Sequence, residues 1–101
     1  MTTDTIEGTG IKTEEKIKEP KMYAVVVHND PYTPRDFVVE VLQKVFQKNS
    51  EEASRIMLKA HKSGTGVVAI YSYEIAEIKT AMANKYSHDQ GKLLLFSVEE
   101  A

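Results

Sequence analysis

The run Tyr23-Ala24-Val25-Val26-Val27 constrains this chain most. It is short, β-branched and almost continuously apolar, so it reads as a strand that is buried on both faces or central in its sheet. It stops at His28-Asn29-Asp30-Pro31-Tyr32-Thr33-Pro34, which places an imidazole, an amide and a carboxylate in a row on a loop. Loops held by rigid elements are where binding groups tend to sit. Thr33 reads as the N-cap of the next helix, with Pro34 at its first position and Asp36 completing a capping-box-like arrangement. Phe37, Val38, Val41, Leu42, Val45 and Phe46 then recur at three- and four-residue steps, one face of a helix ending near Lys48-Asn49.

The rest of the chain follows the same punctuation. Ser50 is expected to cap a second helix, with Glu51 and Glu52 in its first turn and Ala53, Ile56, Met57 and Ala60 facing inward. His61 lies four residues after Met57, on the same side. Gly64, within Ser63-Gly64-Thr65-Gly66, suits a left-handed helix end. Val67 to Tyr71 reads as strand two. Ser72 is expected to cap a third helix running to about His88, with apolar positions Ile75, Ala76, Ile78, Met82, Ala83 and Tyr86. Gln90-Gly91 breaks it, and Leu93 to Val98 reads as strand three. The order is strand, helix, helix, strand, helix, strand. Residues 1–20 read as a flexible extension, rich in Thr, Glu and Lys with three scattered Ile and no aromatic residue, and residues 21–101 as one core domain.

Composition removes several functional classes. The net charge of −2 across 101 residues provides no basic stripe for nucleic acid. The chain contains no cysteine, so disulfides, thiol nucleophiles and thiolate metal sites are excluded; this suits a cytoplasmic protein. No apolar run approaches a membrane span, and the first residues lack the apolar core of a secretory signal. His28, Asp30, His61 and His88 have no recognised metal spacing, and no nucleophile elbow or paired carboxylates mark a hydrolase. The expectation is a binding protein that is not an enzyme and uses no cofactor.

One constellation remains. Asn29 and Asp30 offer acceptor oxygens, and a neutral His61 offers an acceptor nitrogen. An ammonium is three donors and no acceptor, so three converging acceptors complement it. With Val38, Met57 and the end of strand three alongside, such a site would hold a chain terminus, ammonium at the mouth and side chain in the pocket. The alternative is an Asn-Asp turn that only closes the loop, with His61 a surface residue; spacing alone favours this plainer reading.

The stretch Met22 to Pro34 resembles the signature of the ClpS family, the N-end-rule adaptors of the bacterial ClpAP protease. The similarity continues through Val41-Leu42-Gln43-Lys44-Val45-Phe46, Ile56-Met57-Leu58-Lys59-Ala60-His61, Glu74 to Lys79 and Ala81 to Tyr86. It implies an α+β fold in which a three-stranded antiparallel sheet packs against three helices, as in the ribosomal stalk protein's C-terminal domain. It implies an adaptor that binds proteins beginning with Leu, Phe, Tyr or Trp and delivers these N-degron substrates to a Clp AAA+ unfoldase, ClpA-like or ClpC-like. On that resemblance Asn29, Asp30 and His61 surround the substrate α-amino group. Thr33, Val38, Met57, Ala60 and Leu94 line the side-chain pocket, and Glu74 and Lys79 meet the unfoldase's N-terminal domain. Residues 1–20 correspond to the family's mobile extension. Ala60 stands where Val is commoner, a change expected to enlarge the pocket slightly.

Two departures bear on specificity. Pro31 replaces a second Asp, lowering the negative charge near the pocket. Arg35 replaces the Met that narrows the pocket. An Arg stem can still wall an apolar surface while its head reaches water. The expectation is altered selectivity: either Ile and Val become tolerated, or Arg35 repels the ammonium and affinity falls. Binding is also expected to weaken once the medium is acid enough to protonate the accepting imidazole. A stalk-like docking domain with no terminus pocket is the competing reading.

Overall fold

A computed structural model describes residues 20–101; the expected extension lies, but for Pro20, outside the described residues. Three strands, β1 (Tyr23–His28), β2 (Thr65–Tyr71) and β3 (Leu95–Glu100), form one antiparallel sheet in the order β2-β1-β3. Three helices, α1 (Arg35–Phe46), α2 (Ser50–Ser63) and α3 (Tyr73–Asp89), pack against it. The α+β architecture and the order β-α-α-β-α-β are those expected. Strand β1 is indeed central, and its four inner residues are all buried.

The core lies between sheet and helices. Val25 and Val27 of β1 meet Val41, Leu42, Val45 and Phe46 of α1, with Phe96 from β3 and Leu94 just before it. Each such side chain contributes about 1.5–3 kcal/mol on removal from water. Phe46 packs against Phe96 with ring centroids 5.5 Å apart, and Phe37 stacks on Tyr86 of α3 at 5.7 Å. Helix α1 is thereby fixed at both ends against other elements.

The helix ends differ from the sequence expectation in an informative way. Pro34, not Thr33, is the N-cap of α1; its backbone is extended, and its carbonyl accepts from the N–H groups of Phe37 and Val38. Asn49, not Ser50, caps α2. Its side chain accepts from the Glu52 N–H at 2.8 Å while the Glu52 carboxylate accepts from the Asn49 N–H, a complete capping box. Ser72 does precede α3, but its hydroxyl makes no capping bond. Gly64 ends α2 in the left-handed region, as expected, with φ 91°.

The strands are also displaced. Strand β2 starts two residues early, at Thr65, because Gly66 passes close beneath α2: a Cβ there would lie 3.1 Å from the Ile56 carbonyl oxygen and 3.4 Å from the Ala60 nitrogen. Strand β3 starts and ends two residues later than its apolar run, since Leu93 and Leu94 lie before the pairing that begins at Leu95.

Helix α3 corrects the apolar pattern most. Its buried residues are Ala76, Thr80, Ala83 and Ser87, a stripe of small side chains. Ile75, Ile78 and Met82 are exposed, Ile78 at 57% and Met82 at 51%. Small residues let the helix axis approach the sheet, and the larger apolar groups are then left on its flanks.

Helices α1 and α2 form a hairpin joined by Gln47-Lys48-Asn49. Gln47 is left-handed, with φ 54°. The Lys79 ammonium of α3 donates to the Val45 carbonyl at 3.0 Å and to the Gln47 side-chain oxygen at 2.6 Å, tying the third helix to this turn.

Candidate functional site

The loop after β1 folds on itself because its short polar side chains bond locally. The Thr33 N–H donates to the Asp30 carbonyl at 3.2 Å, and the Thr33 hydroxyl donates to the Asp30 carboxylate at 2.6 Å. This second bond takes the hydroxyl away from the helix end, so the role of cap falls to Pro34. The Asn29 N–H donates to the Gly64 carbonyl at 2.9 Å, joining the loop to the end of α2. Asn29 is thus held beside the helix that carries His61.

A pocket of about 240 Å³ opens between this loop, the start of α1 and the second half of α2. Asn29, Asp30, Thr33, Arg35, Val38, Met57 and His61 line it, together with Pro31 and Pro34. The three expected ammonium acceptors therefore converge, and they do so beside the apolar side chains of Val38 and Met57. The hairpin explains why: the chain reverses at Gln47-Lys48-Asn49, so Met57 and His61 return opposite Arg35 and Val38. Pro34, expected together with Thr33 to start the helix and floor the pocket, is among the lining residues.

Two expected pocket residues belong to the buried core. Ala60 and Leu94 are almost fully buried in the core and are not among the lining residues. Ala60 packs over Gly66, so its Cβ faces the sheet. Glu74 is exposed at the start of α3, and Lys79, one turn on, is partly buried and bonded to the α1–α2 turn. Neither lines the pocket.

Arg35 and His61 are in contact. The guanidinium donates to His61 Nε2 at 2.8 Å. Arginine has no acceptor, so this bond requires Nε2 unprotonated and places the neutral ring's proton on Nδ1. Arg35 and Asp30 are the oppositely charged residues of the lining, and Asp30 is half-buried. The chemistry on offer is capture of a small cation beside an apolar side chain. Among the described residues no three His, Cys, Asp or Glu side chains converge as a metal-binding group, and no helix is long and apolar enough to cross a membrane.

A protein-family model for the ATP-dependent Clp protease adaptor protein ClpS matches residues 18–97. The ATP-dependent Clp protease adapter protein ClpS of Shewanella pealeana is 43% identical over 99 residues, covering 98% of this chain and 97% of that protein. The protein of the same description from Maricaulis maris is 51% identical over 77 residues, covering 74% of this chain and 71% of its own length. Among solved structures, that of Agrobacterium tumefaciens ClpS2 bound to L-phenylalaninamide superposes with a TM-score of 0.80 at 38% identity, covering 82% of this chain and all of that one.

Proposed function

This chain belongs to the ClpS family of adaptors of the ATP-dependent Clp protease, and on that premise we propose that it captures proteins by their first residue. The ligand is a free α-ammonium followed by a large hydrophobic side chain, Leu, Phe, Tyr or Trp. The captured protein is then delivered to a Clp AAA+ unfoldase, and Glu74 and Lys79 are surface residues for that meeting. Residues 1–20 act as an extension for delivery, and residues 21–101 as the adaptor core.

The observation that carries this reading is the pocket itself. It sets Asp30, Asn29 and His61 beside Val38 and Met57 in one cavity. Its volume is below the roughly 300 Å³ at which drug-sized ligand sites begin, and suits one side chain. L-Phenylalaninamide, bound to the structural relative, has the matching chemistry: a free ammonium, an aromatic side chain and an amide where the next peptide bond would run. The ammonium pairs with Asp30 and bonds to Asn29 and His61, while the side chain lies against Val38 and Met57. Thr33 orients the Asp30 carboxylate through its hydroxyl.

Short labelled peptides beginning with Phe or Leu test the proposal. They are expected to bind with a free terminus and to lose roughly 2–5 kcal/mol when acetylated or when Asp30→Ala is introduced, because a charge held in the pocket then lacks its partner. Equal binding of free and acetylated peptides would leave only a docking domain with the same fold.

A further inference from the structure

We propose that Arg35 makes this pocket a reader of the second residue as well as the first, favouring termini in which Asp or Glu follows the bulky first side chain. This rests on the terminus-binding reading above.

Arg35 opens α1, is exposed, and among the described residues is the only Lys or Arg lining the pocket. Its guanidinium spends one donor on His61 Nε2. Among the described residues it has no ion-pair partner. When a substrate ammonium takes the His61 acceptor, the guanidinium loses that bond and cannot shed its charge. In the proposed pose it is then a charged fork, exposed on the wall beside the first residue and facing the second. A carboxylate accepts two parallel N–H bonds from such a fork, which a neutral side chain cannot do. A Lys or Arg at the same place would be repelled.

The neighbouring carboxylates do not cancel this preference. Asp30 is matched by the ligand's own ammonium and by the Thr33 hydroxyl. Asp36 follows Arg35 on α1 and is turned about 100° around the helix axis from it.

The test is a set of peptides identical except at the second position, Phe-Asp, Phe-Ala and Phe-Lys, each with a free and an acetylated terminus. Affinities are measured for the full chain and for its Arg35→Met and Arg35→Lys variants, at low and raised salt. Phe-Asp is expected to bind about three- to tenfold more tightly than Phe-Lys, as for an exposed ion pair gained against one repelled. The ratio should fall to one in Arg35→Met, survive in Arg35→Lys, and shrink with salt. Because it is a ratio, it is independent of any change in overall affinity. Equal affinities in the unaltered chain, or an undiminished ratio in Arg35→Met, would overturn the proposal while leaving terminus binding intact. If free and acetylated peptides bind alike, the terminus reading fails and this proposal with it.

Discussion

Arg35 and His61 meet across the pocket mouth, 2.8 Å apart, joining the first residue of α1 to the last turn of α2. The guanidinium occupies the nitrogen that the proposed ammonium ligand would use. Of the two outcomes anticipated for this residue, lower affinity is the one this contact favours. Arg35→Met should therefore raise the affinity of Phe-Ala peptides about two- to tenfold at neutral pH, the worth of one hydrogen bond no longer contested. Titration of a labelled peptide measures it. An unchanged dissociation constant, with Ile and Val termini newly excluded by the variant, would show that Arg35 acts through pocket width instead.

Gly66 should resist substitution. A Cβ there meets backbone atoms of α2, not the movable end of a side chain. Gly66→Ala is expected to push α2 off the sheet and cost about 1–3 kcal/mol. Because Met57 and His61 sit on α2, peptide affinity should fall as well. Urea denaturation and peptide titration together separate the two effects.

Thr80 offers the opposite case. Its hydroxyl is buried with no hydrogen-bond partner among the described residues. Thr80→Val keeps the branched shape and removes the unsatisfied group, so stability should rise by about 1 kcal/mol. Thermal melting gives the sign directly.

Lys79 holds the α1–α2 turn through the Val45 carbonyl and Gln47. Lys79→Met should lower stability by about 1 kcal/mol with no partner present. Any loss of unfoldase binding in that variant then mixes two causes, whereas Glu74→Gln, on an exposed residue, reports on the surface alone. Denaturation of the isolated chain tells them apart.

Acid stability should depend on Glu40. The Tyr86 hydroxyl, helped by Lys44 and opposed by desolvation, holds its carboxyl below the ordinary value of 4.5. The unfolded chain therefore takes up this proton first. Glu40 contributes stability above pH 4.5, and the contribution is lost as the pH falls from there through the folded value. Tyr86→Phe keeps the ring stacked on Phe37 and removes the hydroxyl. The melting temperature of that variant should fall less steeply with pH below 4.5 than that of the parent.

Much of this was legible in the sequence. The β-branched run from Tyr23 to Val27 marked the central strand, and the three- and four-residue spacing from Phe37 to Phe46 marked α1. Asn29, Asp30 and His61 were recognisable as acceptors, but their convergence depends on the α1–α2 hairpin, which spacing alone does not show. Helix α3 misled because hydrophobicity is a poor guide where close approach selects small side chains: Thr80 and Ser87 went inside while Ile78 and Met82 stayed out. The caps misled because local side-chain bonds, not residue type alone, chose the helix ends. Thr33 bonded to Asp30, and Asn49 reached Glu52 one position ahead of the expected Ser50. Ala60 and Leu94 are buried core residues outside the cavity lining, which only the packing reveals.

The hairpin makes the pocket a pair of calipers. Its jaws are the start of α1 and the end of α2; its pivot is the turn at Gln47, about 18 Å away along twelve residues of helix. At that lever arm, each degree of change between the two helices moves a jaw by about 0.3 Å. The residue fastened to the pivot is Lys79, which approaches from the third helix. The width of the cavity is thus set at one end of the hairpin, while the hairpin is fastened to α3 at the other.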